Sequence, residues 1–159
     1  MQGSQNLAEK APVEYQRDGF VISTDRARLD LHSAHEFLSG SSYWARRIPF
    51  ETFARSVQNS LCFGLYDPGG VQVGFARVVS DFATFAYVAD VFVLDSHRGR
   101  GLGKLLMECM MQHPQLQGLR RWVLTTRDAH GLYAQFGFTS PKWPERFMEI
   151  LRPNMYETL

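Results

Sequence analysis

The chain has 159 residues, of which 45% are hydrophobic and 21% are charged, and its formal net charge is +1. This length suits one domain over residues 1–159 that buries about two-thirds of its unfolded surface without metals or disulfides, and the balanced charge argues against a nucleic-acid or membrane surface. The first twenty residues are polar, and Cys62 and Cys109 lie in apolar runs without metal-ligand spacing, so we expect a cytoplasmic protein with reduced, buried thiols.

The first half of the chain predicts alternating strands and helices. Residues 1–12 have the composition of a frayed tail. Pro49 stands where a first helical turn tolerates it, and Phe50, Phe53 and Val57 follow on one helical face. In chain order we predict a strand at 20–22, helices at 29–38 and 50–60, and strands at 61–66 and 71–79 that form a hairpin through a tight turn at 67–70.

The second half contains a strand–helix–strand unit. The predicted elements are a strand at 85–94, a helix at 101–113, a strand at 122–124, a helix at 129–136 ended by Gly137, and a strand at 147–151. The first three require two parallel strands and a crossover helix. We therefore predict a mixed α/β fold, in which a mostly antiparallel central sheet is flanked by helices and contains one parallel βαβ unit.

A glycine-rich turn, residues 98–104 (RGRGLGK), joins the strand to the helix of this unit. Unpaired backbone N–H groups at the positive end of a helix dipole bind anions, so we expect a phosphorylated ligand there. The spacing fits neither a nucleotide P-loop, which needs Gly and Ser or Thr where Arg98 and Leu105 stand, nor a dinucleotide fingerprint, which needs a third glycine. The alternative is an ordinary helix start with solvated basic side chains.

The turn does match the pattern R/Q-x-x-G-x-G/A, through Arg98, Gly101 and Gly103. A strand-like segment, residues 89–93, precedes it, and residues 129–138 (AHGLYAQFGF) supply a Tyr-x-x-Phe-Gly-Phe helix after the next strand. In this order the chain from residue 85 to residue 138 resembles the GNAT superfamily of N-acetyltransferases. The resemblance implies a GNAT-like fold and the use of acetyl-CoA as the cofactor.

The resemblance also implies where coenzyme A binds. Glycines in the turn let the pyrophosphate approach backbone N–H groups, and a bulged strand at 91–93 pairs with the pantetheine arm and stabilises the oxyanion near Val93. Many members have Asn where this chain has Thr126, with Asp128 nearby, and either could cap the next helix. The implied cofactor-binding residues are Val91, Phe92, Val93, Arg98, Gly99, Arg100, Gly101, Leu102, Gly103, Lys104, Thr126 and Ala129.

Two side chains are candidates for proton transfer. An ammonium acceptor must lose a proton before it attacks, and Asp90, which interrupts an apolar strand, is the candidate base, with a structural hydrogen-bonding role as the alternative. The resemblance places Tyr133 where the family has a tyrosine that donates to the leaving thiolate, and a packed core tyrosine is the alternative. Neither cysteine lies in a motif that indicates an acyl-enzyme, so we expect direct transfer.

The loop between the first two helices borders the acceptor site in this family. Here it contributes four candidate substrate-binding residues, Tyr43, Trp44, Arg46 and Arg47. An arginine could pair with a carboxylate of a small amino-acid-like amine, and a packed loop with solvated arginines is the alternative. His32, His35 and Glu36 do not form a zincin motif, so we expect no metal.

The sequence therefore predicts an acetyl-CoA-dependent N-acetyltransferase that acts on the primary amine of a small molecule. Acetylation of a protein or peptide is the nearest alternative and would require an open groove. A noncatalytic acyl-CoA-binding sensing module, which keeps the phosphate loop without an acceptor, is an alternative of a different class. Association with a second copy, as a homodimer, could also complete the site.

Overall fold

A computed structural model describes residues 10–157 of the chain. The tail expected at residues 1–12 therefore lies outside the described residues, except for its last three positions. The central sheet has six strands in the order β1 to β6. They are β1 (Glu14–Arg17), β2 (Phe20–Ser23), β3 (Leu61–Tyr66), β4 (Gln72–Ser80), β5 (Phe85–Val93) and β6 (Arg121–Val123).

The sheet has the mixed topology that the sequence predicts. Each strand from β1 to β5 is antiparallel to its neighbour, whereas β5 and β6 run parallel. The β3–β4 hairpin is confirmed, and Asp67 stabilises its turn because one carboxylate oxygen accepts hydrogen bonds from the N–H groups of Gly69 and Val71, both at 2.9 Å. Gly70 completes the turn with a φ of +84°, which favours glycine.

Within residues 10–157, four α-helices cover the two faces of the sheet. They are α1 (Leu31–Gly40), α2 (Phe50–Gln58), α3 (Leu102–Gln112) and α4 (His130–Ala134). Helices α1 and α2 pack with Cys62 and Phe75 on one face, and α3 packs with Phe63 and Leu65 on the other, so alternate residues of β3 serve the two layers. None of the helices among residues 10–157 is both long and apolar enough to cross a bilayer.

A β-bulge in β5 opens the sheet on the side of β6. Arg77 faces Ala89 and Phe75 faces Phe92, so two residues of β5, Asp90 and Val91, occupy the length of one residue of β4. Asp90 accommodates the extra residue with a φ of +54°, a left-handed conformation that Asp tolerates better than most residues. Only the first three residues of β5 pair with β6, and beyond them the two strands part.

The strand predictions need two corrections. The sequence analysis missed β1, because its mostly polar sequence, Glu-Tyr-Gln-Arg, lies at the sheet edge and lacks apolar alternation. The strand predicted at 147–151 is wrong, since these residues follow a 3-10 turn at Pro144–Arg146 and carry no strand assignment. Their apolar side chains suggested a strand, but Phe147, Met148, Ile150 and Leu151 are exposed instead of packing on the sheet.

Candidate active site

The glycine-rich turn gives α3 an N-terminus built from main chain. Gly99 and Gly101 have φ values of +80° and +73°, which L side chains rarely adopt, so glycine is required for the shape of the turn. The first intrahelical hydrogen bond runs from Leu105 N–H to the carbonyl of Gly101. The N–H groups of residues 102–104 therefore have no intrahelical acceptor, and the first turn contains no acidic residue to take them.

These groups open into a cavity of about 410 Å³ beside the end of β5. Arg98 connects the turn to the strand, because its Nε donates to the carbonyl of Val93 at 3.2 Å and its Nη1 lies 3.0 Å from Asp95 Oδ1. Gly103 faces α4 across the cavity, where a Cβ atom would lie 3.7 Å from Leu132 Cδ2. The cavity is suited to a negatively charged group, because the positive end of the α3 dipole, Arg98 and Lys104 all lie beside it.

A second cavity, of about 860 Å³, adjoins the first where β5 and β6 part. Both cavities are lined by Val93, Arg98, Gly103 and Leu132, so they form one cleft from the start of α3 to the loop that precedes α2. Residues 88–93 line this cleft beyond the part of β5 that pairs with β6. The cleft can therefore hold an elongated ligand with an anionic end.

Asp90 lies at the centre of a polar network in the larger cavity. Its Oδ2 accepts a hydrogen bond from Arg77 Nε at 2.8 Å, and its Oδ1 accepts one from the indole Nε1 of Trp44 at 3.0 Å. Arg77 also donates through Nη1 to Ser60 Oγ at 3.1 Å. The side chain of Asp90 is only 8% exposed, and the ion pair with Arg77 compensates for its loss of hydration.

Tyr43 ties the same loop to the opposite side of the cleft. Its hydroxyl oxygen accepts a hydrogen bond from the N–H of Arg127 at 2.8 Å, and the Arg127 guanidinium lies 4.0 Å from the centre of the Tyr43 ring. Its ring also meets that of Trp44 edge to face, with centroids 5.0 Å apart. The loop from Ser41 to Arg47 is thus anchored both to β5 and to the segment after β6.

Tyr133 projects from α4 into the larger cavity and remains a neutral phenol. Burial, with smaller contributions from the nearby Tyr43 and Asp128, raises the pKa of Tyr133 to about 12. Its ring packs edge to face against Phe138, with centroids 6.0 Å apart. Within residues 10–157 its hydroxyl has no hydrogen-bond partner, so its O–H is free to donate to a ligand.

The cleft brings most of the predicted site residues together. Those that line it are Tyr43, Trp44, Asp90, Val91, Phe92, Val93, Arg98, Gly99, Gly101, Leu102, Gly103, Lys104, Thr126, Ala129 and Tyr133. Thr126 Oγ1 accepts a hydrogen bond from the N–H of Ala129 at 3.0 Å, so it caps the start of α4. Arg46, Arg47 and Arg100 are exposed and line neither cavity.

Arg77 and Tyr156 are among the lining residues that the sequence analysis missed, for different reasons. Arg77 lies within the apolar strand β4, and a charged residue at such a position is a signal that could have identified it. Tyr156 reaches the cavity from the end of the chain, and no local pattern indicates this. His32 stacks on Phe50, and His35 Nε2 lies 2.7 Å from the carbonyl of Ile48. Among residues 10–157, no three side chains are grouped as metal ligands.

Comparison with known proteins gives consistent matches. Residues 58–140 match the family model described as an acetyltransferase (GNAT) domain. A provisionally named acetyltransferase of Gibberella zeae is 30% identical over 145 residues, which cover 78% of this chain and 81% of that protein. A solved structure from Xanthomonas campestris pv. campestris, of a protein belonging to the GNAT family, is 52% identical with a TM-score of 0.84, over 86% of this chain and 96% of that one. A Mycobacterium tuberculosis protein in complex with CoA shares the fold at 19% identity, with a TM-score of 0.60 over 76% of this chain and 72% of its own.

Proposed function

Because this chain belongs to the GNAT acetyltransferase family, we propose that it transfers the acetyl group of acetyl-CoA directly to the primary amine of a small molecule. The observation that carries this proposal is the continuous cleft, which joins an anion-binding helix start to a larger cavity that contains Tyr133. A protein of the same fold in complex with CoA supports the choice of donor. We also propose a cytoplasmic location, as the composition suggests.

The residues of the cleft fit coenzyme A. The N–H groups of residues 102–104, together with Arg98 and Lys104, would hold its pyrophosphate. The main chain of Val91–Val93, beyond the β6 pairing, would hydrogen-bond to the pantetheine arm. Gly103 leaves open a space between α3 and Leu132 that any Cβ atom would begin to fill. Bound acetyl-CoA supplies the thioester, whose C–S bond breaks as the acceptor nitrogen forms the new C–N bond.

Tyr133 is proposed as the group that stabilises the leaving sulfur. Its pKa of about 12 lies well above the ordinary pKa of a thiol, so its O–H donates a hydrogen bond to the thiolate instead of losing its proton outright. Because its hydroxyl has no partner within residues 10–157, this hydrogen bond would replace none that the described part of the chain makes. Tyr133 therefore acts as a donor that is already in place and neutral.

Asp90 is proposed to receive the proton of the acceptor ammonium, through one water molecule. Each of its oxygens accepts one hydrogen bond from the protein, and each can accept a further one.

The properties of the two cysteines support direct transfer of the acetyl group, without an acyl-enzyme. Burial raises the pKa of both Cys62 and Cys109 to about 12, and neither lines the cleft, so neither is a thiolate nucleophile.

A homodimer is proposed on the exposed apolar side chains of Phe147, Met148, Ile150 and Leu151. Leu151 also lines the larger cavity, so a second copy that covered this patch would complete the acceptor end of the cleft. Light scattering with and without acetyl-CoA tests this. A mass of one chain under both conditions would exclude the homodimer.

The proposed function is tested by release of free CoA from acetyl-CoA across amines, amino acids, polyamines, aminoglycosides and peptides. Release that depends on an amine, and that falls in the Tyr133→Phe protein, would support the transferase. Tight binding of acetyl-CoA with no amine-dependent release would instead indicate a noncatalytic acyl-CoA-binding module. Preference for peptides over every small amine would contradict the small-molecule acceptor.

A further inference from the structure

The charges that line the larger cavity are already compensated. Its described lining contains two carboxylates, Asp90 and Asp128. Asp90 is paired with Arg77 at 2.8 Å, and Asp128 lies 3.8 Å from the guanidinium of Arg127. Arg98, whose guanidinium lies 3.0 Å from Asp95, also lines the cavity at the phosphate end. An acceptor with several ammonium groups would therefore meet more arginines than carboxylates, and this charge balance disfavours a polycation.

The two aromatic side chains of the acceptor loop present their rings and not their polar ends. The indole N–H of Trp44 is used by Asp90, and the hydroxyl of Tyr43 is used by the N–H of Arg127. The side chains nevertheless remain 42% and 41% exposed while lining the cavity. The Arg127 guanidinium covers one face of the Tyr43 ring at 4.0 Å, so an incoming molecule meets the Trp44 ring and the free surface of Tyr43. Such ring surface binds a flat apolar group or a single cation.

The wall beside this loop is also apolar. Phe37 and Phe92 stack with ring centroids 4.1 Å apart, and both line the cavity together with Ile48 and Tyr156. Several hydroxyl side chains also line the cavity, but those of Ser42, Ser56 and Thr126 are already hydrogen-bonded within the protein. An acceptor rich in hydroxyl groups, such as an amino sugar, would have to share these groups with their present partners.

We propose that the acceptor is an arylalkylamine, a molecule with one primary amine joined through a short aliphatic arm to an aromatic ring. Its ring packs against Trp44 and Tyr43, and its amine points along the cleft toward Tyr133 and the thioester. Besides its proposed role as the proton acceptor, Asp90 positions the ring of Trp44, because it accepts the hydrogen bond that holds the indole at the cavity wall. This inference rests on the proposed acetyltransferase function.

The test compares three amines with the whole protein: 2-phenylethylamine, hexylamine and spermidine. We expect kcat/KM for 2-phenylethylamine to exceed that for spermidine at least about tenfold, and that for hexylamine several-fold. Trp44→Leu should raise the KM for 2-phenylethylamine about tenfold with kcat little changed, and Trp44→Phe, which keeps a ring, should restore most of the loss. Trp143→Leu is the matched control, because Trp143 is also 42% exposed but lines neither cavity, and it should match the parent protein.

Equal use of the three amines, or a preference for spermidine, would overturn the inference while leaving the transferase intact. So would a Trp44→Leu protein that loses activity equally on all three. Calorimetric titration of 2-phenylethylamine into the CoA-loaded protein separates the two proposals. Binding that Trp44→Leu weakens, without acetyl transfer, would support the inference and contradict the proposed function, whereas absence of binding would overturn the inference directly.

Discussion

At the scale of single residues, Tyr133 is a donor whose proton is firmly held. A hydrogen bond to a charged group is worth about 1.5–3 kcal/mol, so its loss should lower kcat of Tyr133→Phe by about 10- to 100-fold. The affinity for CoA should change less than about threefold, because the phosphate loop is untouched. Steady-state kinetics and calorimetry measure the two effects. Equal loss of affinity and of kcat would show that Tyr133 mainly supports packing.

Asp90 combines an unusual backbone conformation with two side-chain contacts. Asn tolerates the φ of +54° and keeps an acceptor for Trp44, whereas Ala has neither property. We therefore expect the free energy of unfolding of Asp90→Ala to be about 1–2 kcal/mol lower than that of Asp90→Asn. Urea unfolding measures this difference. Asp18, an exposed turn residue with a φ of +52°, provides the matched control. The difference in unfolding free energy between Asp18→Ala and Asp18→Asn should be smaller, and it reports the backbone contribution alone.

Asp90 also shows how far a sequence can be interpreted at this scale. A carboxylate in an apolar strand indicated a special position, and the residue lies buried in the cleft, whereas its role as a base stays a prediction. Its partners are 13 and 46 positions away along the chain, and its left-handed φ follows from the register of β4 against β5. These are properties of the folded pair of strands, and no local pattern contains them.

At the scale of elements, the start of α3 carries the cofactor proposal. Gly103→Ala places a methyl group in the cleft, 3.7 Å from Leu132, and should weaken acetyl-CoA binding at least about tenfold, because the main chain can no longer be approached as closely. Gly131→Ala is the control, since a Cβ there meets nothing within 4 Å. Both variants replace a glycine with a better helix former, so neither should lower the melting temperature.

Isothermal titration with acetyl-CoA distinguishes the two glycine variants. An affinity for acetyl-CoA that equals the parent protein's in both variants would contradict a phosphate site at this helix start. A similar loss in both would point to α4, where Gly131 lies, and not to close approach at α3.

The elements that the sequence predicted well are those with strong internal patterns. The strand at 61–66 and the helix ending before Pro114 have long apolar runs or faces, and the structure gives them nearly the same bounds. The predictions for the edge strand β1 and for the apolar run at 147–151 were wrong in opposite ways. One forms by pairing although it is polar, and the other stays unpaired although it is apolar, because strand formation depends on an available neighbour.

At the scale of the whole molecule, buried acidic groups lie on both faces of the sheet and in the cleft. Burial raises the pKa values of Cys62, Cys109, Tyr66 and Tyr133 to about 12, above the ordinary values of 9.0 for Cys and 10.0 for Tyr. Between these values the unfolded chain has lost protons that the folded protein still holds. The stabilisation is therefore complete below pH 9 and is lost as the pH rises toward 12.

We therefore expect the free energy of unfolding to fall as the pH is raised from 9 to 11, in urea titrations with a reductant present. Removing one of these groups should make the fall shallower, by up to about 1.4 kcal/mol per pH unit for Cys62→Ala, because a single titrating proton is lost from the balance. Val57→Ala is the control, since it removes volume from the same buried cluster as Cys62 but no titrating group. Val57→Ala should lower the free energy of unfolding at every pH and leave its slope against pH unchanged. A slope equally steep in Cys62→Ala and Val57→Ala would show that Cys62 has the same pKa in the folded and unfolded chain.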